Sequence, residues 1–158
     1  MSIERARAHL KKWDLDERIR ELALSSATVE LAAQALNVEG ARIAKTLSYM
    51  VDGGAVLVVV AGDARVDNRK FKDCFHTKAK MLSPEEAVAM VGHAVGGVCP
   101  FGVNPGVKVY LDESLRRFET VYPAAGSGNS AIELTIPELE AASEAQGWVD
   151  IARSAPAH

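Results

Sequence analysis

The run IAKTLSYMV carries a single charged side chain, Lys45, among apolar neighbours. In a strand, alternation sets Lys45 on one face with Leu47, Tyr49 and Val51. A lysine on an inner face must be neutralised, paired with an anion or aimed into a polar cavity, because an isolated buried charge is costly. A lysine at a strand end instead lays its stem over apolar surface and keeps its ammonium in water. Both arrangements fit the pattern, and the first puts a cation where a phosphate or a polarised carbonyl can be held. Downstream, GHAVGGVCPFG sets a thiol, Cys99, between Gly96-Gly97 and Pro100, with His93 six residues earlier. A nucleophilic thiol needs a base or a positive environment, and no histidine stands at a recognised spacing from Cys99, so it reads as a small pocket-lining residue. A lone histidine beside a glycine at a helix exit reads as structural before it reads as a general base. The later AAGSGNS lacks the lysine of a phosphate loop. Its glycines and those of the first loop permit close backbone approach, so the two loops can be two walls of one concave site or two ordinary turns.

The whole chain has 158 residues, 48% hydrophobic and 25% charged, which suits one globular domain over residues 1–158 and excludes coiled-coil, collagen-like and disordered classes. A net charge of −3 argues against indiscriminate coating of nucleic acid. The charge is uneven, however: residues 63–80 hold six lysines and arginines against three aspartates. That strip is either a solvated helix face or a landing strip for phosphates, with Arg69, Lys70 and Lys72 as the candidate contacts. The four histidines and two cysteines show no metal-ligand spacing, so neither metal nor cofactor is expected, and the cysteines are expected to be free. The charged N-terminus and the lack of a long apolar stretch predict a cytoplasmic protein without membrane contact.

These residues need elements to position them. The first dozen residues predict an amphipathic helix through Ile3, Ala6, Leu10 and Trp13, and a second helix follows a polar start at Ser25. The pattern then switches to two strands separated at Gly53-Gly54, the second apolar throughout and so covered on both faces. A helix capped by Asp67 follows, then one with Ser83 at its N-cap, Pro84 at its first position, Glu86 closing a capping box and Gly92 at its exit. Strands are predicted at VKVYL, FETVYP and AIELTI, with a last helix from TIPELEAASEAQG. This order is not a strict βαβ alternation, and it predicts an α+β fold with a mixed, curled, barrel-like sheet flanked by helices.

Taken in order, RIAKTLSYMV, RVDNRKF, GHAVGGVCPFG, VYLDESL with FETVY, and AAGSGNSAIELTIPEL resemble the YbaK/ProX family of aminoacyl-tRNA deacylases, which includes the editing domain of bacterial prolyl-tRNA synthetases. The resemblance runs over residues 26–140. It implies hydrolysis of the ester that joins a wrong, small amino acid to a tRNA, chiefly the tRNA for proline, by a stand-alone trans-editing enzyme. The partners it implies are the acceptor end of an aminoacyl-tRNA and, as a candidate, prolyl-tRNA synthetase. The family's strand lysine falls on Lys45, its first glycine loop on Gly96, Gly97, Pro100 and Gly102, and its second on Gly126, Ser127, Gly128 and Asn129. Thr46, Val98 and Cys99 complete the expected substrate-binding set. Two other classes stay open: a binding module of the same fold without catalysis, and a hydrolase of small esters.

Overall fold

The computed structural model describes residues 2–23, 25, 28–94 and 97–154. Helix α1 (Ser2–Leu10) fully buries Ala6 and Leu10, one turn apart on its inner face, and runs into a 3-10 turn at Lys11–Trp13. A short strand, β1 (Arg20–Glu21), precedes α2 (Val29–Leu36). The Thr28 hydroxyl starts α2 by accepting the Leu31 amide at 3.1 Å, and Asn37 ends it in the left-handed region.

Strands β2 (Ile43–Val51) and β3 (Gly54–Ala61) form the central hairpin. Its two-residue turn is Asp52-Gly53, both at positive φ (51° and 79°), the mirror-type turn whose twist matches the strands. The turn therefore falls one residue earlier than the expected Gly53-Gly54 corner, because Gly54 already pairs with Val51. From Ala55 to Ala61 every β3 side chain is buried, as the unbroken apolar run predicted.

Next come β4 (Ala64–Val66) and α3 (Asn68–Phe75), where the Asp67 carboxylate accepts the Arg69 and Lys70 amides at 3.0 and 3.1 Å. Helix α4 (Pro84–Glu86) opens with the predicted Ser83–Glu86 capping box, widens into a π turn over Ala87–Val91 and stops at Gly92. Strands β5 (Lys108–Asp112) and β6 (Thr120–Pro123) follow. AIELTI does not form one strand but splits into β7 (Ser130–Ala131), paired with β1, and β8 (Leu134–Thr135), paired with β6. The break falls where the Ile132 amide turns to the Pro123 carbonyl, 3.0 Å away. Helix α5 (Ile136–Ala142), β9 (Gly147–Val149) and β10 (Ala152–Ser154) complete the chain.

The main sheet has the order β8-β6-β2-β3-β5-β9. Its β6–β2, β3–β5 and β5–β9 pairs are parallel and its β8–β6 and β2–β3 pairs antiparallel, so the fold is α+β with a mixed, curled half-barrel sheet. Most buried side chains form one core around β3, and a smaller cluster of Ala32, Leu36, Ile43, Tyr122 and Ala131 lies under α2.

Helix α1 braces the first glycine loop. Arg5 donates to the Gly92 carbonyl at 3.3 Å and to Asn104 Oδ1 at 2.8 Å. The two glycine loops also press together: a Cβ at Gly97 would stand 2.7 Å from the Gly126 carbonyl carbon and from the Ser127 backbone. Backbone cannot step aside as a side chain can, so Gly97→Ala should destabilise the fold by about 1–3 kcal/mol. A Cβ at Gly147 meets nothing within 4 Å, and Gly147→Ala should stay within about 0.5 kcal/mol of the parent. Urea unfolding of the two variants checks the contrast.

Candidate functional site

The site follows from an interruption in the sheet. β6 runs beside β2 only as far as Ala44 opposite Pro123. Further along the same edge, the Leu82 amide bonds the Ser48 carbonyl at 3.1 Å and the Met50 amide bonds the Lys80 carbonyl at 2.8 Å. Those bonds show that even-numbered residues of β2 turn their backbone groups to this edge. Thr46 thus presents its N–H and C=O to the interval between the two partners.

A cavity of about 200 Å³ occupies that interval, below the roughly 300–1,000 Å³ of sites for drug-sized ligands and suited to a group the size of an amino acid. Its floor is β2, with Ala44, Lys45, Thr46 and Ser48; Thr28, Val29 and Ala32 of the α2 segment roof it. Tyr122, Ala124, Ser130 and Ala131 form one side, Val98, Met81 and Leu82 the other. It lies against the small cluster under α2, sharing Ala32, Ile43, Tyr122 and Ala131 with it. Among the described residues no carboxylate or imidazole lines it.

Lys45, half-buried, is the one charged group on the cavity wall among the described residues. Among the described residues no hydrogen bond or ion pair engages its ammonium. Burial holds its pKa below the ordinary 10.5, and Arg65 pushes the same way, against weaker pulls from Asp63 and Glu30. Of the two arrangements open from the sequence, the structure has the cation bordering a cavity. Beside it, Thr46 Oγ1 is buried without a hydrogen-bond partner among the described residues.

Other expected site residues lie elsewhere. Cys99 does not line the cavity; it is fully buried, with Sγ 3.6 Å from His93 Nε2 and donating to the Phe101 carbonyl at 3.6 Å. Burial pushes its thiol up to about 12, the opposite of nucleophile activation. The reason is local: the chain after Gly97 turns inward, and Cys99, Pro100 and Phe101 all enter the interior. His93, also fully buried, holds that turn by donating from Nε2 to the Phe101 carbonyl at 2.7 Å, and desolvation lowers its pKa. Gly102 serves α1 rather than the cavity, since a Cβ there would stand 2.5 Å from the Arg5 carbonyl oxygen. Val98 does face the cavity, and Gly96 lies outside the described residues.

Gly126, Ser127, Gly128 and Asn129 stand behind the wall rather than in it. The Ser127 amide donates to Ser130 Oγ at 3.1 Å, and Asn129 Nδ2 donates to the Leu22 carbonyl at 3.1 Å, so this loop locks Ser130 and ties the segment before α2 to the site. Both cysteines are free. In the basic strip, Arg69 and Lys72 flank a shallow exposed surface with Asp73 and His76, whereas Lys70 is held by Asp150 at 3.1 Å and by the Ala152 carbonyl at 3.2 Å. The sequence reading missed the α2 roof, Ser48, Met81 and Tyr122. Only Ser48 carried a local sign, its spacing of two from Thr46.

Fold and site together define a small α+β domain in which the half-buried Lys45, unpaired among the described residues, borders an amino-acid-sized cavity. The model of the aminoacyl-tRNA editing domain matches residues 25–142. The chain belongs to the aminoacyl-tRNA editing domain family, which its YbaK/ProX-like motif order had indicated. It is 49% identical over 154 residues, 97% of this chain and 98% of the other, to YwhH, an uncharacterised protein of Bacillus subtilis (strain 168). It superposes with a TM-score of 0.87, at 32% identity and covering 97% and 98% of the two chains, on the crystal structure of a candidate trans-editing enzyme for prolyl tRNA synthetase. It is 38% identical over 90 residues to a proline–tRNA ligase of Solidesulfovibrio magneticus, 56% of this chain but only 15% of the ligase. Among the described residues no helix is long and apolar enough to cross a membrane.

The lowered pKa of Lys45 has a testable sign. The unfolded chain holds this proton more tightly than the folded one, so the ammonium costs stability below the folded pKa, and that cost fades as pH rises from the folded value to 10.5. Lys45→Met should therefore be more stable than the parent at pH 7, with the gap closing by about pH 10.5. Paired urea titrations across pH check it, and a gap that is constant or widens is the contrary result.

Proposed function

We propose that the protein is a stand-alone aminoacyl-tRNA deacylase that hydrolyses the ester of a mischarged small amino acid, on the tRNA for proline or a related tRNA. The observation that carries this reading is Lys45, an unpaired half-buried cation on the wall of an amino-acid-sized cavity in an aminoacyl-tRNA editing domain. The cavity volume favours small aminoacyl groups, and the lack of a carboxylate on its wall gives a cationic side chain no partner. Water is the nucleophile. As it attacks, the carbonyl oxygen gains negative charge, which Lys45 stabilises directly or by holding the adjacent phosphate. The Thr46 amide, turned to the same interval, is the natural second donor.

The test is a deacylation screen on tRNAs charged with a panel of amino acids, with intact tRNA recovered afterwards. Lys45→Ala should lose about 10²–10³ in rate, or ~2.7–4 kcal/mol. Cys99→Ala should keep most of the activity, and no amino acid should become attached to the protein. A folded Lys45→Ala protein with full activity removes the central claim. Binding of tRNA without release of amino acid points to a non-catalytic module, and turnover of small esters without tRNA points to an esterase.

Arg69 and Lys72 are the proposed contacts to the acceptor-end backbone, with Lys70 contributing less because Asp150 already holds it. Replacing Arg69 and Lys72 with glutamine should flatten the salt dependence of tRNA binding by roughly 0.7–0.9 log unit per lost phosphate contact. Lys70→Gln should change the slope less than either. Unchanged slopes return the strip to a solvated helix face.

A further inference from the structure

Among the described residues Thr46 Oγ1 is a buried hydroxyl with no partner, on a strand where valine would fill the same volume without stranding a polar group. Two residues on, Ser48 shares its face of β2 and lines the same cavity. Among the described residues no hydrogen bond engages the Ser48 hydroxyl either. On the opposite side, the Ser130 hydroxyl is occupied with Ser127: it accepts the Ser127 amide and donates to the Ser127 carbonyl at 3.2 Å. The Thr46–Ser48 face is thus a short polar stripe in a cavity whose other walls are mostly aliphatic, with Lys45, Thr28, Tyr122 and Ser130 the other polar side chains among the described lining residues.

Resting on the deacylase reading, we propose that Thr46 is the residue that determines specificity within the small amino acids, selecting aminoacyl groups with a side-chain hydroxyl, seryl or threonyl, over alkyl groups of the same size. A hydroxyl both donates and accepts, so it satisfies an orphan hydroxyl that a methyl group would leave unpaired. A rotation about χ1, which swaps Oγ1 and Cγ2 between staggered wells, turns the Thr46 oxygen toward the ligand. A pocket that adds only volume discriminates weakly between isosteres, whereas an unpaired buried polar group rejects the alkyl analogue much more strongly.

The experiment uses isosteric pairs on one tRNA, serine against 2-aminobutyrate and threonine against valine, and reads the ratio of kcat/KM within each pair. The parent protein should favour the hydroxyl member about tenfold. Thr46→Val should bring both ratios close to one, whatever happens to the absolute rates, and Thr46→Ser should restore the serine ratio. Thr46→Ala serves if the valine variant does not fold. A parent without preference overturns the proposal. So does a preference that survives Thr46→Val, or an equal loss on both members of each pair, which would mean that the hydroxyl meets the α-amino group common to all. Calorimetry with non-hydrolysable seryl and 2-aminobutyryl amides of 3′-amino-adenosine makes the same comparison without turnover. Failure of deacylation on every charged tRNA would sink the functional reading, whereas equal affinities for the two amides would sink the assignment of Thr46.

Discussion

The register of the β2–β3 hairpin is the constraint on which the site depends. It sets Lys45 opposite Val60 and Thr46 opposite Val59, and the Asp52-Gly53 turn fixes it by admitting a loop of two residues. A slip of one residue would reverse every side chain of β2 and so displace Lys45, Thr46 and Ser48, all of which line the cavity, from their present places. The slip is opposed strongly because β3 is buried along its length and Tyr49 packs on Phe71 of α3, ring centroids 4.6 Å apart. The position of a polar stripe in the cavity is thus held by apolar contacts on the other face of the same strand.

Given that register, the cavity exists because β2 loses one neighbour before it gains the next. Pro123 ends the pairing with β6, and the Met81 segment resumes it beyond Ser48. Behind the cavity walls the two glycine loops pack backbone on backbone, at the Gly97 contact with Gly126 and Ser127. That contact is held from outside the matched family segment, since Arg5 of α1 fastens both ends of the first glycine loop, at Gly92 and Asn104, and the family model begins at residue 25. At the opposite end of the chain, the buried Asp112 carboxylate accepts the Ile151 amide at 2.8 Å and the Ser114 amide at 2.9 Å, tying the segment before β10 to the core.

Elements with strong local chemistry were legible in the sequence. The Ser83–Glu86 capping box, the Asp67 cap and the unbroken apolar run of β3 each depend on residues within a few positions of one another, and each stands as read. Strands β1, β4, β7, β8, β9 and β10 span two or three residues apiece, too short for a period of two to show, and they form because distant partners meet them. The site divides the same way. Lys45 announced itself as a charge in an apolar strand, but whether its ammonium met water, a carboxylate or a cavity depended on where β6 stopped. Cys99 was misplaced because glycines on either side suggest exposure, whereas the His93 and Phe101 contacts that draw the turn inward are set by three-dimensional packing.

The chemistry the site lacks also limits how the proposed reaction can run. Among the described residues no carboxylate or imidazole lines the cavity, the Cys99 thiol is buried with its pKa raised to about 12, and His93 spends its one N–H on a backbone carbonyl. General-base catalysis by a carboxylate or an imidazole therefore has no candidate among the described lining residues. An aminoacyl ester is a substrate for which that deficit matters least, because the adjacent α-ammonium withdraws electrons from the carbonyl and activates it toward water without enzymatic help. What remains for the protein is to hold the ester, exclude large side chains and place fixed positive charge beside the oxygen that becomes negative. Lys45, the Thr46 amide and a cavity of about 200 Å³ are suited to those three tasks and to little else.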